Sequence, residues 1–517
     1  MAKLVAIDAG TTGVRALVVD EHARVVDVAY RELTQHFPKP GWVEHDPDEI
    51  WAAVRATLAE VASHLAEAGP ATEPVAAIGI TNQRETVVAF DRSTGRPLHR
   101  ALVWQDRRTA PRCAELVAEG HLPLVRATTG LVLDPYFSAT KAAWLLEYGD
   151  LGLARDDPHL SFCTVDTWVL WLLTGGLSGG TYATDPSNAS RTLLLNTQTL
   201  AWSPELCDLF GVPAHTLPGV RPSAGRFGTA ALDDLGPATR VLDGVPVSAI
   251  LGDQQAALFG QACFEPGMVK VTYGTGSFAL ANAGSDRPPP PEGLVVSVAW
   301  DLGAHAHAPE HRVTYALEGS AFVSGAAVQW LRDGLGVIAE AAEVGPLAAS
   351  VPDSGGVTFV PALTGLGSPQ WDPGARGIIT GLTRGAGRAQ LARACVEAMA
   401  FQVRDMTDAM AAASCHPLSA LRADGGAAAM DLLLELQAEQ SRMPVARPRS
   451  LESTALGAAT LAGLAEGVWS SLDELAALWE ADTAFEPQLP VELADATYAV
   501  WGRAVEKSKG WADTEPT

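Results

Sequence analysis

The chain has 517 residues, 47% hydrophobic and 19% charged, which is enough for more than one core, because a single core stops growing at roughly 250 to 300 residues. Its formal charge of -24 disfavours nucleic acid and acidic membrane surfaces as partners, and any phosphate ligand has to be met by local cations or amides. No apolar run reaches the roughly 20 residues of a membrane span, no signal-type pattern opens the chain, and the six dispersed cysteines lack a CxxC pair, so the expectation is a cytoplasmic protein without integral membrane association, disulfides or zinc.

Leu4 to Ile7 is a short apolar run that stops at Asp8-Ala9-Gly10-Thr11-Thr12-Gly13 and restarts as Ala16 to Val19, which reads as strand, tight turn, strand. A helix follows: Asp46 suits the N-cap, Pro47 the first turn and Glu49 the capping box, and Ile50, Val54, Leu58, Val61 and Leu65 recur at helical spacing up to Gly69-Pro70. Val75 to Ile80 reads as a buried strand that delivers Thr81-Asn82-Gln83-Arg84-Glu85-Thr86 at its carboxyl end, where ligands gather in α/β sheets. Strands recurring between helical stretches favour α/β architecture.

Val247 to Leu251, entered through Pro246, is a further strand and ends in Gly252-Asp253-Gln254-Gln255. Met268 to Tyr273 then leads into Gly274-Thr275-Gly276 and Phe278 to Leu280, repeating the opening motif as a duplicated domain would. The boundary is placed near residue 254, giving domains 1-254 and 255-517. Pro288 to Pro291 reads as a surface loop within the second half, Asp424-Gly425-Gly426 as a strand-to-helix turn before a helical run from Ala427, and Glu515-Pro516-Thr517 as a frayed end.

A Gly-Thr turn between strands presents amides and hydroxyls to an anion, so Gly10, Thr11 and Thr12 suit phosphate oxygens, although the Lys of a P-loop is missing. Two such turns facing each other across a cleft would grip a polyphosphate, with Asp8 and Asp253 near a shared Mg²⁺. The competing readings are an ordinary hairpin turn, a turn aspartate for Asp8, a helix N-cap for Asp253, and a surface ion pair for Arg84-Glu85. A polyol needs both donors and acceptors, which Arg84 and Glu85 supply. Trp104, Tyr136 and Phe278 suit its C–H faces, but each also suits plain core.

These residues resemble the glycerol kinases, within the sugar and polyol kinases that share the actin-like ATPase fold. The resemblance runs from Val5 to about Gly502. Its most specific stretches are Pro38-Lys39-Pro40-Gly41-Trp42-Val43-Glu44-His45-Asp46-Pro47, Gly79-Ile80-Thr81-Asn82-Gln83-Arg84-Glu85-Thr86, Asp134-Pro135-Tyr136-Phe137-Ser138, Asn188-Ala189-Ser190-Arg191-Thr192, Gly252-Asp253-Gln254-Gln255-Ala256-Ala257-Leu258-Phe259-Gly260 and Thr364-Gly365-Leu366-Gly367-Ser368-Pro369. It implies two actin-like (ribonuclease H-like) α/β domains with mixed sheets flanking a central catalytic cleft. It also implies ATP and Mg²⁺ as cofactors, glycerol as substrate, and a homodimer or homotetramer.

Carried over by residue, the resemblance implies that Arg84, Glu85, Tyr136, Asp253 and Gln254 hold glycerol, with Trp104 and Phe278 against its carbons. Asp253 would be the base and Asp8 would help position Mg²⁺, while Thr11, Thr12 and Arg15 attend the phosphates. Thr275, Gly325, Gln329 and Gly426 would complete the ATP site. The chain departs from the family at Ala9 and Gly13-Val14, where Gln and Ser-Ser are usual, and after Gly426, where an Asn near the adenine is common and this chain has Met430 followed by Asp431. A sugar-bisphosphate loop has no clear match around Asp234 to Arg240, and no regulatory histidine stands near Phe227. The alternatives are a kinase for another polyol or sugar, and a catalytically silent nucleotide-binding protein on the same fold.

Overall fold

The computed structural model describes residues 2–67, 74–232 and 236–514. The Gly69-Pro70 helix stop, the end at Glu515-Pro516-Thr517 and part of the Asp234 to Arg240 segment lie outside these residues.

In the first half, six strands form one mixed sheet in the order Ala224–Thr229, Pro246–Gly252, Val75–Asn82, Lys3–Ala9, Gly13–Val19, Val25–Glu32. Pro246–Gly252, Val75–Asn82 and Lys3–Ala9 run parallel, and the two strands after the Gly10 turn run antiparallel. Apolar side chains fill both faces of the central strands, and the helix Pro47–Glu67 covers one face with Ile50, Val54, Leu58 and Val61, as the helical spacing predicts.

The second half repeats this plan. Its seven strands are ordered Val295–Asp301, Val313–Ala321, Ser277–Gly284, Met268–Tyr273, Ala420–Asp424, Val445–Pro448, Ala481–Phe485. Met268–Tyr273, Ala420–Asp424 and Val445–Pro448 run parallel, and the strand after the Gly274 turn folds back antiparallel. Each sheet thus begins with strand, glycine turn, antiparallel strand, and then adds parallel neighbours on the other side. The Pro288 to Pro291 segment is a loop between two strands of this sheet, and Arg126 of the first half donates to its Pro290 and Pro291 carbonyls.

Between the sheets lie two helices, Asp253–Gly260 and Ser453–Ala465. Leu4, Ala6 and Leu17 from the first sheet, Leu280 and Ala316 from the second, and Ala256, Phe259 and Leu461 from the helices share one buried cluster. The helices cross at their glycines. A Cβ on Gly457 would lie 1.8 Å from the Ala256 carbonyl oxygen, and one on Gly260 would lie 2.0 Å from that of Ser453. Only glycine permits that approach.

A third, small sheet is built from Glu44–His45, Ala101–Leu102, Val87–Asp91, Arg96–Pro97 and Leu160–Thr164. Its two-residue strands carry no readable periodicity. Asp424 ends its strand as expected, but the following segment is a 3₁₀ turn, Gly426–Ala429, and the α-helix begins at Asp431, not Ala427. Gly425, at φ 86°, packs under the Tyr273 carbonyl, and this close approach sets the turn.

Candidate active site

Register decides which residues meet. Asp8 pairs with Thr81 across one strand boundary, and Gly252 pairs with Asn82 across the next. The residues that leave these three parallel strands, Gly10 to Thr12, Gln83 to Glu85 and Asp253, therefore emerge along one edge of the sheet, facing the second half.

Arg84 and Glu85 do not form a surface ion pair, being 2% and 1% exposed. Arg84 lies against Glu318 of the second half with two parallel contacts, NH1 to Oε2 at 2.8 Å and NH2 to Oε1 at 2.9 Å. It also donates to Gln255 Oε1 at 3.1 Å and the Tyr136 hydroxyl at 3.2 Å, and its Nε stands 3.2 Å from Asp253 Oδ1. Glu85 accepts from Arg191 Nε at 2.6 Å, and Arg191 NH1 reaches Glu318 at 3.1 Å. Burial of these charges is costly, and only a network of opposed, hydrogen-bonded partners makes it tolerable. Burial works against the Glu318 charge, yet Arg191 and Arg84 outweigh it and hold the carboxyl down at about 2. Glu85 itself sits at φ 62°, a left-handed conformation that costs free energy in a non-glycine residue and concentrates at functional sites.

Three aromatic rings close the clamp. Trp104 meets Tyr136 edge-on at 5.5 Å between centroids and Phe278 at 6.2 Å. The Tyr136 loop is drawn tight by buried Lys141, whose ammonium is donated to the carbonyls of Pro135, Tyr136 and Phe137. Asp253 opens the helix Asp253–Gly260, for which Gly252 is the N-cap. Its side chain keeps 29% exposure, so a ligand can reach it. Burial raises its pKa, while Arg84 and Lys270 oppose the shift. Gln254 accepts a short hydrogen bond from Lys270, which also donates to Thr272 at 2.9 Å.

The two glycine turns are closed alike, Gly10 N donating to the Gly13 carbonyl at 3.0 Å and Gly274 N to that of Gly276 at 2.9 Å. Thr12 is exposed, Thr11 is half-buried, and Arg15 reaches Asp8 at 3.8 Å and Glu452 at 3.6 Å. Burial, reinforced by Asp253 and Glu452 against the pull of Arg15, raises the Asp8 carboxyl to about 7. Arg15 compensates that carboxyl only in part, which leaves it able to take a further cation such as Mg²⁺. Among the described residues no three or more His, Cys, Asp or Glu cluster into a metal cage. Mg²⁺ commonly takes one or two carboxylates together with water and phosphate oxygens.

Beside the second turn, Thr275, Gly325, Gln329, Gly426 and Met430 all line one cavity of about 630 Å³. Gly325 opens a helix whose first amides bond the turn carbonyls, and a Cβ there would strike the Gly274 oxygen at 2.6 Å. The far wall is apolar, with Val328, Val344 and Met430, and Met430 packs on Gly345.

Sequence reasoning missed Glu318 and Lys270 as site residues and quoted Arg191 only within a stretch. The signal was present: a charged residue inside an otherwise apolar strand, as in Met268–Tyr273 and Val313–Ala321, is buried only if paired. Five cysteines are buried, Cys415 is exposed, and all six are free.

Two duplicated mixed sheets flanking a cleft, with a glycine turn from each half pointing into it, define an actin-like phosphotransferase. The chain belongs to the FGGY family of carbohydrate kinases: the profile of that family's N-terminal domain matches residues 3–260 and that of its C-terminal domain residues 269–466. It is 49% identical over 513 residues to a glycerol kinase of Bordetella parapertussis, covering 98% of this chain and 97% of that one. It is 52% identical over 517 residues to a glycerol kinase of Trichlorobacter lovleyi, covering 99% and 100%. Among solved structures, a Plasmodium falciparum glycerol kinase with ADP superposes with a TM-score of 0.90 at 32% identity, covering 98% of both chains.

Proposed function

We propose that the chain transfers the terminal phosphoryl group of ATP to a primary hydroxyl of glycerol, releasing ADP and glycerol 3-phosphate. The observation that carries this reading is the buried clamp of Arg84, Glu85, Tyr136 and Asp253 at the sheet edge from which the Gly10 turn also projects. It is supported by full-length relatives at about half identity that are named glycerol kinases. With the chain divided at residue 254, the first part supplies the clamp, one phosphate turn and Asp253, and the second supplies the other turn and the nucleotide cavity.

Arg84, Glu85 and Gln254 present donors and acceptors to the hydroxyls, and Trp104 and Phe278 face the carbons. Thr11, Thr12, Arg15 and the Gly274 turn hold the phosphates in line with the attacking oxygen. Asp253 takes the proton as the new O–P bond forms and the bond to the ADP oxygen breaks, which requires its carboxylate to be ionised. Asp8 and Asp253 would hold Mg²⁺, which neutralises phosphate charge when bound. Thr275, Gly325, Gln329, Gly426 and Met430 receive the nucleoside. The reaction is placed in the cytoplasm because ATP, its phosphoryl donor, is available there; no helix of the described residues is long and apolar enough to cross a membrane. A coupled assay of ADP release tests the reading with glycerol, erythritol, xylulose and gluconate; a preference for anything but glycerol overturns the substrate, and ATP binding without acceptor-dependent turnover overturns the activity.

A further inference from the structure

Trp104 is more than a wall of the clamp. Its indole Nε1–H donates to the Thr11 hydroxyl at 2.9 Å, linking the acceptor pocket to the phosphate turn. A second path joins the same two places: the Trp104 amide donates to Thr86 Oγ1 at 3.2 Å, Thr86 donates to Gln83 Oε1 at 2.9 Å, and Gln83 Nε2 donates to the Gly10 carbonyl at 3.0 Å. The Gln83 amide donates to Ala9 as well, at 2.9 Å. Trp104 is thus tied to the Ala9–Thr11 segment twice, directly through its indole N–H and indirectly through its backbone amide.

The direction of the first bond matters. An indole N–H only donates, so the Thr11 oxygen is the acceptor, and its own proton is free to be given elsewhere. No protein acceptor for that proton is present among the described residues, and the hydroxyl is half-buried on the turn that faces the second half.

We infer that Trp104 is a positioning residue for phosphoryl transfer: its N–H turns the Thr11 hydroxyl proton toward the polyphosphate while its ring contacts the polyol. This rests on the functional reading above. A polyol seated on the ring, whose edges already meet Tyr136 and Phe278, fixes the donor to Thr11, so acceptor and ATP strengthen each other's binding by the same factor.

The experiment uses the full chain and four variants, W104F, T11V, T11S and W104F/T11V, each checked for folding by thermal melt, with KM and kcat measured separately for ATP and glycerol. Absence of glycerol-dependent ADP release in the wild type counts against the functional reading, not this inference. Given activity, W104F and T11V should each lower kcat/KM for ATP about tenfold, the scale of one hydrogen bond to a charged group, and T11S should retain most of it. The double variant should lose no more than about twofold beyond T11V, because the two changes break one interaction. Losses that multiply, or a W104F effect confined to the KM for glycerol, overturn the inference. If W104F does not fold, T11V alone decides: wild-type affinity for ATP should rise with glycerol, and in T11V that dependence should vanish. Its persistence in T11V overturns the inference.

Discussion

Arg84 and Glu318 face each other across the two halves of the molecule, a buried guanidinium on a buried carboxylate with contacts of 2.8 and 2.9 Å. Glu318 is the second half's hold on the clamp, since it also reaches Arg191, the partner of Glu85. Breaking a buried pair leaves a charge uncompensated, at a cost of about 3–5 kcal/mol. E318Q should therefore lower stability in urea unfolding by about that amount and raise the KM for glycerol at least about tenfold, the effect of one weakened charge-assisted contact. An E318Q protein with unaltered KM would show that Arg84 holds its place without Glu318.

Asp253→Asn preserves shape and the hydrogen bond to the Gln254 amide but cannot accept a proton. The variant should fold and still bind ATP while kcat falls about 10²- to 10⁴-fold, the range for loss of a general base. Near-normal kcat would remove Asp253 from that role.

Burial, with His36 nearby, pushes buried His45 down to about 4. Its neutral ring receives Gln83 Nε2 at 3.2 Å, the same Gln83 that secures the Gly10 turn. A base depressed in the folded state is protonated first in the unfolded chain, so its contribution is whole above about pH 6.5 and is lost as pH falls toward 4. The stability difference between wild type and H45Q should shrink by up to about 1.4 kcal/mol per pH unit over that window. Denaturation curves at pH 7.5, 6, 5 and 4.5 measure it; a constant difference contradicts it.

An Asp8 carboxyl raised to about 7 is substantially protonated at pH 6.5. Binding of Mg²⁺ with nucleotide should release that proton. Calorimetry at pH 6.5 in two buffers of different ionisation enthalpy should show the release for wild type and less of it for D8N; equal release from both would place the proton elsewhere.

Where the cavity beside the Gly274 turn receives the purine, as proposed, Met430, Val328 and Val344 meet it with apolar side chains. Discrimination against an altered base is weak in an apolar pocket, so GTP and ITP should support turnover with kcat/KM within about a hundredfold of ATP. A far greater preference for ATP would mean that Gln329 or backbone reads the base.

The two glycine turns and Asp253 were legible because each stands where an apolar strand stops, and strand ends are where α/β sheets collect ligands. The pairing of Arg84 was not, because Glu318 lies 234 positions away and nothing local announces which strands of different sheets will face each other. A surface ion pair stays open as a competing reading of Arg84-Glu85 in the sequence for the same reason: burial belongs to the assembled halves. The small third sheet escaped because Glu44–His45 and Ala101–Leu102 are too short for alternation to register. The run after Gly426 is apolar at helical spacing whether it is 3₁₀ or α, and the tight packing of Gly425 on Tyr273 selects the former.

The helix Ser453–Ala465 lies on the first sheet although the chain reaches it only after six of the second sheet's seven strands. During synthesis, Leu4 and Ala6 cannot be covered until Leu461 and Ala462 have left the ribosome, so an emerging first half carries a bare apolar face throughout translation of the second. A chain cut before Ser453 should accordingly be recovered with chaperones or in aggregates, and supplying the missing segment in trans would have to thread Gly457 back against Ala256.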